Sequence, residues 1–289
     1  MMNSKKEQNP YLPIPVIIDR IRIENEAKDL KTVRLVFLNK EDAQCFSYKC
    51  GQFAMISIPH AGEIPIGIAS SPLDEGYLEF TIKKYPTGTV TFALHNCEQG
   101  AQIGVRGPYG NAFPLQEAEG KNIVIVGGGF AFTTLRSTIR YLLHKENRPL
   151  FNKNITVLYG ARSPGELLYK SELEQWSNRD DISLHVTVDK GDEDWKGKEG
   201  FVPSVLKEIG PSADNAIALV CGPPIMLKFT LPVLSELGFD DEQIITSLER
   251  RMSCGIGKCG RCAIGPHFIC KDGPIFTLKE IKQMPEQVV

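Results

Sequence analysis

The chain has 289 residues, enough for two domains and a small extra module at about 150 residues per domain. Hydrophobic residues make up 42% and charged residues 24%, a globular balance that excludes disordered, collagen-like and coiled-coil chains. Thirty-three Lys and Arg against 35 Asp and Glu leave a formal net charge of −2, so the overall charge gives no drive toward nucleic acid. No apolar run approaches the ~18 residues of a membrane helix, and no membrane span is expected. Residues 1–10 are polar and have no apolar h-region, so they read as a frayed tail rather than a secretory signal. The expectation is a cytoplasmic chain in a reducing compartment, where its eight cysteines do not form structural disulfides.

The first portion reads as β. Short runs rich in β-branched residues occupy 16–23, 32–38, 52–58, 77–84 and 102–105, separated by Gly, Pro and Asn turns. Segment 89–98 breaks the pattern, with Val90, Leu94 and Cys97 at helical spacing behind Gly88. Several strands with one helix predict a small antiparallel barrel.

From Lys121 the pattern changes. Residues 122–126 form a continuous apolar strand, as in a parallel sheet buried on both faces. It ends in Gly127, Gly128 and Gly129, and 132–144 then reads as a helix with Leu135, Ile139 and Leu142 on one side. Strand and helix candidates alternate after it at 155–159, 167–176, 182–188, 202–209, 216–220, 225–237 and 244–248. This alternation predicts a doubly wound parallel sheet. Pro114 and the charged residues up to Gly120 suggest a hinge between the two halves.

Ligands of such sheets sit beyond the carboxyl ends of the strands. The triple glycine occupies one such end, where backbone amides and a helix N-terminus can hold a pyrophosphate. G-G-G-F-A-F is not G-x-G-x-x-G, so a tight structural turn is the competing reading. Cys221-Gly222-Pro223-Pro224 lies at a second strand end, although Pro at the first turn of a helix is also ordinary helix grammar.

Cys254, Cys259, Cys262 and Cys270 are spaced C-x4-C-x2-C-x7-C among Gly255, Gly257, Gly260 and Gly265. The C-x4-C-x2-C opening matches the plant-type [2Fe–2S] spacing, while the fourth cysteine arrives earlier than that pattern expects. Zinc sites usually pair two short knuckles across a longer spacer, so a structural zinc loop is the alternative. Cys45, Cys50 and Cys97 read as buried or half-buried thiols. The five histidines show no ligand spacing. His267 reads as loop surface, with a place behind the cluster ligands as the alternative. Phe53, Tyr85 and Phe113 read as packing residues, whereas Tyr109 reads equally as packing or as stacking on a ligand ring.

Five stretches together carry a resemblance: Val105-Arg106-Gly107-Pro108-Tyr109-Gly110, Val126 to Gly129, Tyr159-Gly160-Ala161-Arg162, Cys221-Gly222-Pro223-Pro224-Ile225-Met226 and the cysteine loop. In order and spacing they resemble the ferredoxin–NADP reductase superfamily, over residues 16–276. More closely the chain looks like the flavin and [2Fe–2S] electron-transfer subunits grouped as the gamma subunit of Ni–Fe hydrogenases. Related chains occur in anaerobic sulfite reductase, dihydroorotate dehydrogenase and heterodisulfide-reductase-linked complexes. The resemblance implies an FAD-binding β-barrel over 1–117, an NAD(P)-binding α/β domain over 118–248 and a [2Fe–2S] module over 249–289. Residues 64–71 would be the flavin-contacting strand and turn, with Ala69, Ser70 and Ser71 as its contacts. Gly88, Thr89, Val90 and Thr91 would hold the FAD pyrophosphate. Gly127, Gly128 and Gly129 would face the nicotinamide nucleotide's pyrophosphate, with Cys221 and Gly222 near the nicotinamide and Arg162 near the adenosine. The four loop cysteines would hold the cluster.

The family's flavin strand usually reads R-x-Y-S or R-P-F-S, but here it reads Ile64-Pro65-Ile66-Gly67. The arginine, the ring and the hydroxyl are all missing. The implied activity is that of a diaphorase-type subunit, in which hydride passes directly between nicotinamide and flavin and no side-chain base is required. Nicotinamide moves electrons in pairs and iron–sulfur clusters move them singly, so a flavin must stand between. The implied partners are hydrogenase, heterodisulfide reductase-like or sulfite reductase-like subunits in a hetero-oligomer, or ferredoxin. The alternatives are a free-standing ferredoxin or flavin reductase, and a non-enzymatic nucleotide-binding scaffold with a zinc loop. Arg162, Ser163 and Lys170 leave NAD(H) and NADP(H) undecided.

Overall fold

The computed structural model describes residues 9–285, so most of the segment read as a frayed tail lies outside the described residues. Strands β1 (Ile14–Ile23), β2 (Leu30–Phe37), β3 (Phe53–Ile58), β4 (Gly62–Gly67), β5 (Tyr77–Lys83) and β6 (Gln102–Tyr109) make one antiparallel sheet in the order β4-β3-β6-β1-β2-β5. Helix α1 (Lys40–Cys45) follows β2, and α2 (Thr89–Asn96) follows β5. Val16, Ile18, Val33, Leu35, Ile56, Phe80 and Ile82 fill the inside of the sheet with Leu94 of α2. Edge strands β4 and β5 approach without pairing as strands. Just past β4, however, the Ala69 N–H donates to the Glu79 carbonyl on β5 and draws the two edges of the barrel together.

Strands β7 (Asn122–Gly128), β8 (Ile155–Ala161), β9 (Ser183–Val188), β10 (Lys198–Glu199), β11 (Ala216–Cys221) and β12 (Ile244–Ser247) run parallel in the order β10-β9-β8-β7-β11-β12. Helices α3 (Phe132–Leu142), α4 (Lys170–Ser177), α5 (Val202–Ile209) and α6 (Pro224–Glu236) connect them. Separate hydrophobic cores lie on the two faces of β7 and β11, which is why those strands are apolar at nearly every position. The strand order reverses at β7, so the crevice between the ends of β7 and β11 is the topological switch point.

The C-terminal segment folds as β13 (Ala263–Ile264), β14 (His267–Phe268), α7 (Ile269–Asp272), β15 (Ile275–Thr277) and α8 (Leu278–Lys282). Strand β15 pairs antiparallel with β12 and extends the parallel sheet by one strand. Three residues carry too little periodicity to be read as a strand from sequence. Thr277 and Glu280 form a reciprocal capping box that starts α8.

The connector expected to be a hinge is packed: Phe113, Leu115 and Ala118 are buried in the core beneath the parallel sheet. The barrel and the parallel-sheet domain are also clamped by Arg136 of α3, whose side chain is 1% exposed. Its guanidinium donates to the Glu79 carboxylate of β5 at 2.7 Å, to the Ala69 carbonyl at 2.9 Å and to Glu172 of α4. Beside it the Ser137 hydroxyl donates to the Ser70 carbonyl, and Arg140 donates to Asp74.

Candidate functional site

The N-terminus of α2 is open. Gly88 is its N-cap and makes no side-chain cap bond, and Thr89 is exposed. The first amides of a helix have no intrahelical partner and carry the positive end of the dipole, so an anion fits there. The Thr91 hydroxyl is already used: it donates to the Gly88 carbonyl and accepts from the Tyr85 N–H. What Thr91 offers an anion is therefore its backbone amide. Tyr85, expected in the packing, is about half exposed at this entrance.

Along the flavin-type strand, Ile64, Pro65, Ile66 and Gly67 are half-buried. Ala69, Ser70 and Ser71 are buried, and their polar groups are spent inside the protein. Tyr48 shares a hydrogen bond with the Ser70 hydroxyl and donates to the Ser71 carbonyl, while Asp74 accepts the Ser71 N–H. These three residues thus stiffen the strand from behind and present no free hydroxyl. Gly67, where the superfamily has a hydroxyl residue, faces another hydroxyl: a Cβ built on it would lie 2.9 Å from Thr134 Oγ1 in the first turn of α3.

At the ends of β7 and β11 the glycines do different things. A methyl group on Gly127 would run into the Phe132 ring, and one on Gly128 or Gly222 into Met226. These glycines let α3 and α6 pack close against the strand ends. Gly129 has φ +52° and open space on its Cβ side, so it is the member of the triplet that lines the crevice. Cys221 is buried, and desolvation pushes its thiol up to about 12. It stays protonated and forms a neutral wall. Arg162 projects into solvent past β8, where its charge faces Asp189.

The cysteine loop is graded in exposure. Cys262 and Cys270 are buried with Phe53 and Met55 of the barrel, Cys254 is half-buried and Cys259 is exposed. Backbone amides point at the sulfurs: the Lys258 and Cys259 N–H groups donate to Cys254 Sγ, and the Gly257 N–H donates to Cys270 Sγ at 3.1 Å. Desolvation alone would raise the Cys254 thiol, but the amides of Ile256, Lys258 and Cys259 outweigh it and bring it to about 6. Gly255, Gly257, Gly260 and Gly265 all have positive φ, a backbone course that side-chain-bearing residues resist. Cys259 lies within hydrogen-bonding reach of Cys254, and Cys262 of Cys270, with all four thiols free. Among the described residues no three His, Cys, Asp or Glu side chains converge closely enough to hold a single metal ion. Four closely spaced cysteines, two of whose sulfurs accept backbone amides, suit an iron–sulfur cluster. His267 is half-buried, its ring edge-on to Phe276. Cys45, expected to be at least half-buried, is exposed.

Arg106 fastens this loop to the barrel, and sequence reasoning gave it no role. Its guanidinium is 3% exposed, pairs with Glu63 of β4 at 2.7 Å, and donates to the Cys254 carbonyl at 3.3 Å, to the Tyr109 hydroxyl and to the Pro10 carbonyl. Tyr109 is half-buried against Phe53 and Gly255. Asn111 completes the seam by donating to the Asp272 and Ile275 carbonyls and accepting the Ile275 N–H. A buried cation among glycines gives no periodic signal, so only the contacts show what it does.

Comparison with known proteins agrees with this geometry. Residues 21–113 match the oxidoreductase FAD-binding domain and 125–231 the oxidoreductase NAD-binding domain. Residues 249–282 match the iron–sulfur cluster binding domain of dihydroorotate dehydrogenase B. The chain is 36% identical to the sulfhydrogenase 1 subunit gamma of Pyrococcus furiosus over 281 residues, with 94% of each chain covered. It is 30% identical to a probable dihydroorotate dehydrogenase B (NAD(+)) electron transfer subunit of the same organism, with 92% of each covered. Among solved structures, a chain of the NADH-dependent reduced ferredoxin–NADP oxidoreductase superposes with a TM-score of 0.71 at 26% identity, covering 93% of this chain and 90% of the other. The protein is therefore an FAD- and NAD-binding oxidoreductase of the ferredoxin–NADP reductase type. Within that class it belongs to the family that includes the sulfhydrogenase gamma and dihydroorotate dehydrogenase B electron transfer subunits, and its residues 249–282 form a dihydroorotate-dehydrogenase-B-type iron–sulfur domain. Among the described residues no helix is long and apolar enough to cross a membrane.

Proposed function

We propose that this chain is a diaphorase-type subunit that passes electrons between NAD(P)H and a partner redox enzyme by way of FAD and a [2Fe–2S] cluster. One observation carries the reading: three candidate sites converge on neighbouring strands. Strand β4 ends against Thr134, one helical turn from the Gly129 crevice, and its neighbour β3 packs Met55 against Gly255 of the cysteine loop. When bound, the flavin supplies the exchange between paired and single electrons, and the cluster supplies a one-electron relay.

The chain's own residues hold and orient. The amides of Thr89, Val90 and Thr91, behind Gly88, receive the FAD pyrophosphate. The half-buried face of β4 would receive the flavin ring, and Ala69, Ser70 and Ser71 hold that strand rigid through Arg136, Tyr48 and Asp74. Gly127, Gly128 and Gly222 bring the helices close, Gly129 and the start of α3 receive the nicotinamide nucleotide's pyrophosphate, and the Cys221 thiol stays neutral beside the nicotinamide. Arg162 lies toward the adenosine. Cys254, Cys259, Cys262 and Cys270 hold the cluster, the last two on the barrel side and Cys259 at the surface. The working units are 1–117 for FAD, 118–248 for the nucleotide and 249–289 for the cluster. The partner belongs to the hydrogenase, heterodisulfide reductase-like or sulfite reductase-like class, in a cytoplasmic hetero-oligomer.

Cys259→Ser tests the division of labour. It should abolish NAD(P)H-driven reduction of one-electron acceptors while the flavin band still bleaches with NAD(P)H. Loss of both together would refute the reading.

A further inference from the structure

Gly67 ends strand β4, yet nothing in its backbone calls for glycine. It pairs with Phe53 of β3, and its φ is not positive, unlike that of Gly62 (+106°) at the start of the same strand. What the missing side chain leaves is room for one neighbour. A Cβ on Gly67 would lie 2.9 Å from Thr134 Oγ1 and 3.9 Å from Thr134 Cβ, with nothing else within 4 Å apart from its chain neighbours. A side chain at 67 and the Thr134 hydroxyl in this rotamer therefore compete for the same space. Where the strand lacks a hydroxyl, helix α3 brings one.

That hydroxyl is unspent. A hydroxyl residue inside a helix commonly bonds back to the carbonyl three or four residues earlier, as Ser235 does to Leu231. Thr134 is half-buried, and its hydroxyl has no hydrogen-bond partner among the described residues. The serines of the neighbouring turn are committed: the Ser70 hydroxyl to Tyr48 and the Glu79 N–H, the Ser71 hydroxyl to the Leu73 N–H. The place of Thr134 is fixed by the residues that follow it. Arg136 donates to the Ala69 carbonyl at 2.9 Å and the Ser137 hydroxyl to the Ser70 carbonyl at 2.6 Å. Residues 134, 136 and 137 of α3 thus run alongside 67, 69 and 70 of the barrel.

Direct hydride transfer needs the two rings in contact, with reacting atoms about 3–3.5 Å apart. On the proposed function, one ring lies along β4 and the other in the crevice between β7 and β11. They meet at the boundary that Thr134 occupies. We infer that the Thr134 hydroxyl is this chain's hydrogen-bonding group toward the flavin, supplying from α3 what Gly67 cannot supply from the strand. Its target is the ring nitrogen that takes up hydride, an acceptor when the ring is oxidised and a donor when it is reduced. A hydroxyl donates and accepts, so Thr134 serves both states by rotating its O–H and neither gains nor loses a proton. The inference rests on the proposed function.

The full chain, loaded with FAD and cluster, is compared with Thr134→Val, Thr134→Ser and the double variant Gly67→Ser, Thr134→Ala, which moves the hydroxyl to the strand. Three readouts are taken: FAD and iron content, the flavin's absorption bands and midpoint potential without nucleotide, and the rate of anaerobic flavin bleaching by NADH or NADPH. Thr134→Val should keep the parent's FAD and iron and shift the bands and the potential. It should bleach ~10-fold more slowly, the scale of one lost hydrogen bond. Thr134→Ser and the double variant should bleach close to the parent's rate. A Val variant with the parent's spectrum, potential and rate would overturn the inference, as would a double variant that holds FAD but stays as slow as the Val variant. Should the Val variant lose FAD, the double variant decides, supporting the inference at the parent's rate and overturning it at a slower one. A parent that takes up no FAD would instead overturn the functional reading on which the inference stands.

Discussion

Replacing Arg136 by Met tests the interdomain clamp. The guanidinium is 1% exposed and neutralises Glu79 and Glu172, whose side chains are 9% and 18% exposed. The thioether fills most of the volume but strands Glu172 and the Ala69 carbonyl and leaves Glu79 only the longer Arg140 contact at 3.5 Å. Removing one partner of a buried ion pair costs about 3–5 kcal/mol, because the charge left behind has lost both water and counterion. For a chain of this size that lowers the thermal midpoint by ~2–4 °C per kcal/mol. The pH dependence should change as well. Burial alone would raise the Glu172 carboxyl, but the hydrogen bond and charge of Arg136 more than offset it and hold it below the ordinary value. Its folded value is therefore depressed, so its stabilisation is complete above the unfolded value near 4.3 and is lost as pH falls below it. Without Arg136 the buried carboxyl rises, and protonation then relieves the folded state. The gap between parent and variant should narrow from pH 7 to pH 4, and adding Glu79→Gln and Glu172→Gln should recover much of the loss. Urea unfolding with flavin release as a second probe reads both. A single variant within ~1 kcal/mol of the parent at pH 7 would refute the argument.

Two further substitutions probe the other seams. Arg106→Ala leaves Glu63 and the Cys254 carbonyl without their donor; iron content after anaerobic reconstitution should fall well below the parent's while flavin content is retained, and equal iron in both would contradict the role given to Arg106. Gly127→Ala forces a methyl group into the buried Phe132 ring, which should cost about 1–3 kcal/mol in unfolding free energy and weaken NAD(P)H binding, whereas Gly129→Ala meets no clash and should cost about 1–2 kcal/mol through its left-handed φ of +52° alone.

Much of this fold is legible from sequence because its signals are local. The apolar run of β7 and the alternation of strand and helix after it mark a parallel sheet buried on both faces, and Val90, Leu94 and Gly88 mark α2 within the barrel. The cysteine spacing marks the cluster loop because it follows an iron–sulfur ligand pattern rather than a helix or strand period. What sequence does not show is long-range. Arg136 and Arg106 are ordinary helix and strand residues until folding brings Glu79, Glu172, Glu63 and the Cys254 carbonyl to them. The short strand β15 exists only because β12 offers it an edge. Ala69, Ser70 and Ser71 read as ligand contacts in a Ser-rich turn, and sequence does not show that the Ser70 hydroxyl, the Ser71 N–H and the Ala69 carbonyl are bonded to Tyr48, Asp74 and Arg136.

The central claim is that one polypeptide carries a flavin and a thiolate-bound diiron cluster in electronic contact. Anaerobically purified protein should contain one FAD and about two irons per chain, and stoichiometric NADH or NADPH should bleach the flavin band and raise a reduced [2Fe–2S] resonance in the same sample. A colourless, zinc-loaded protein, or a cluster that stays oxidised while the flavin is fully reduced across a range of potentials, would contradict the account.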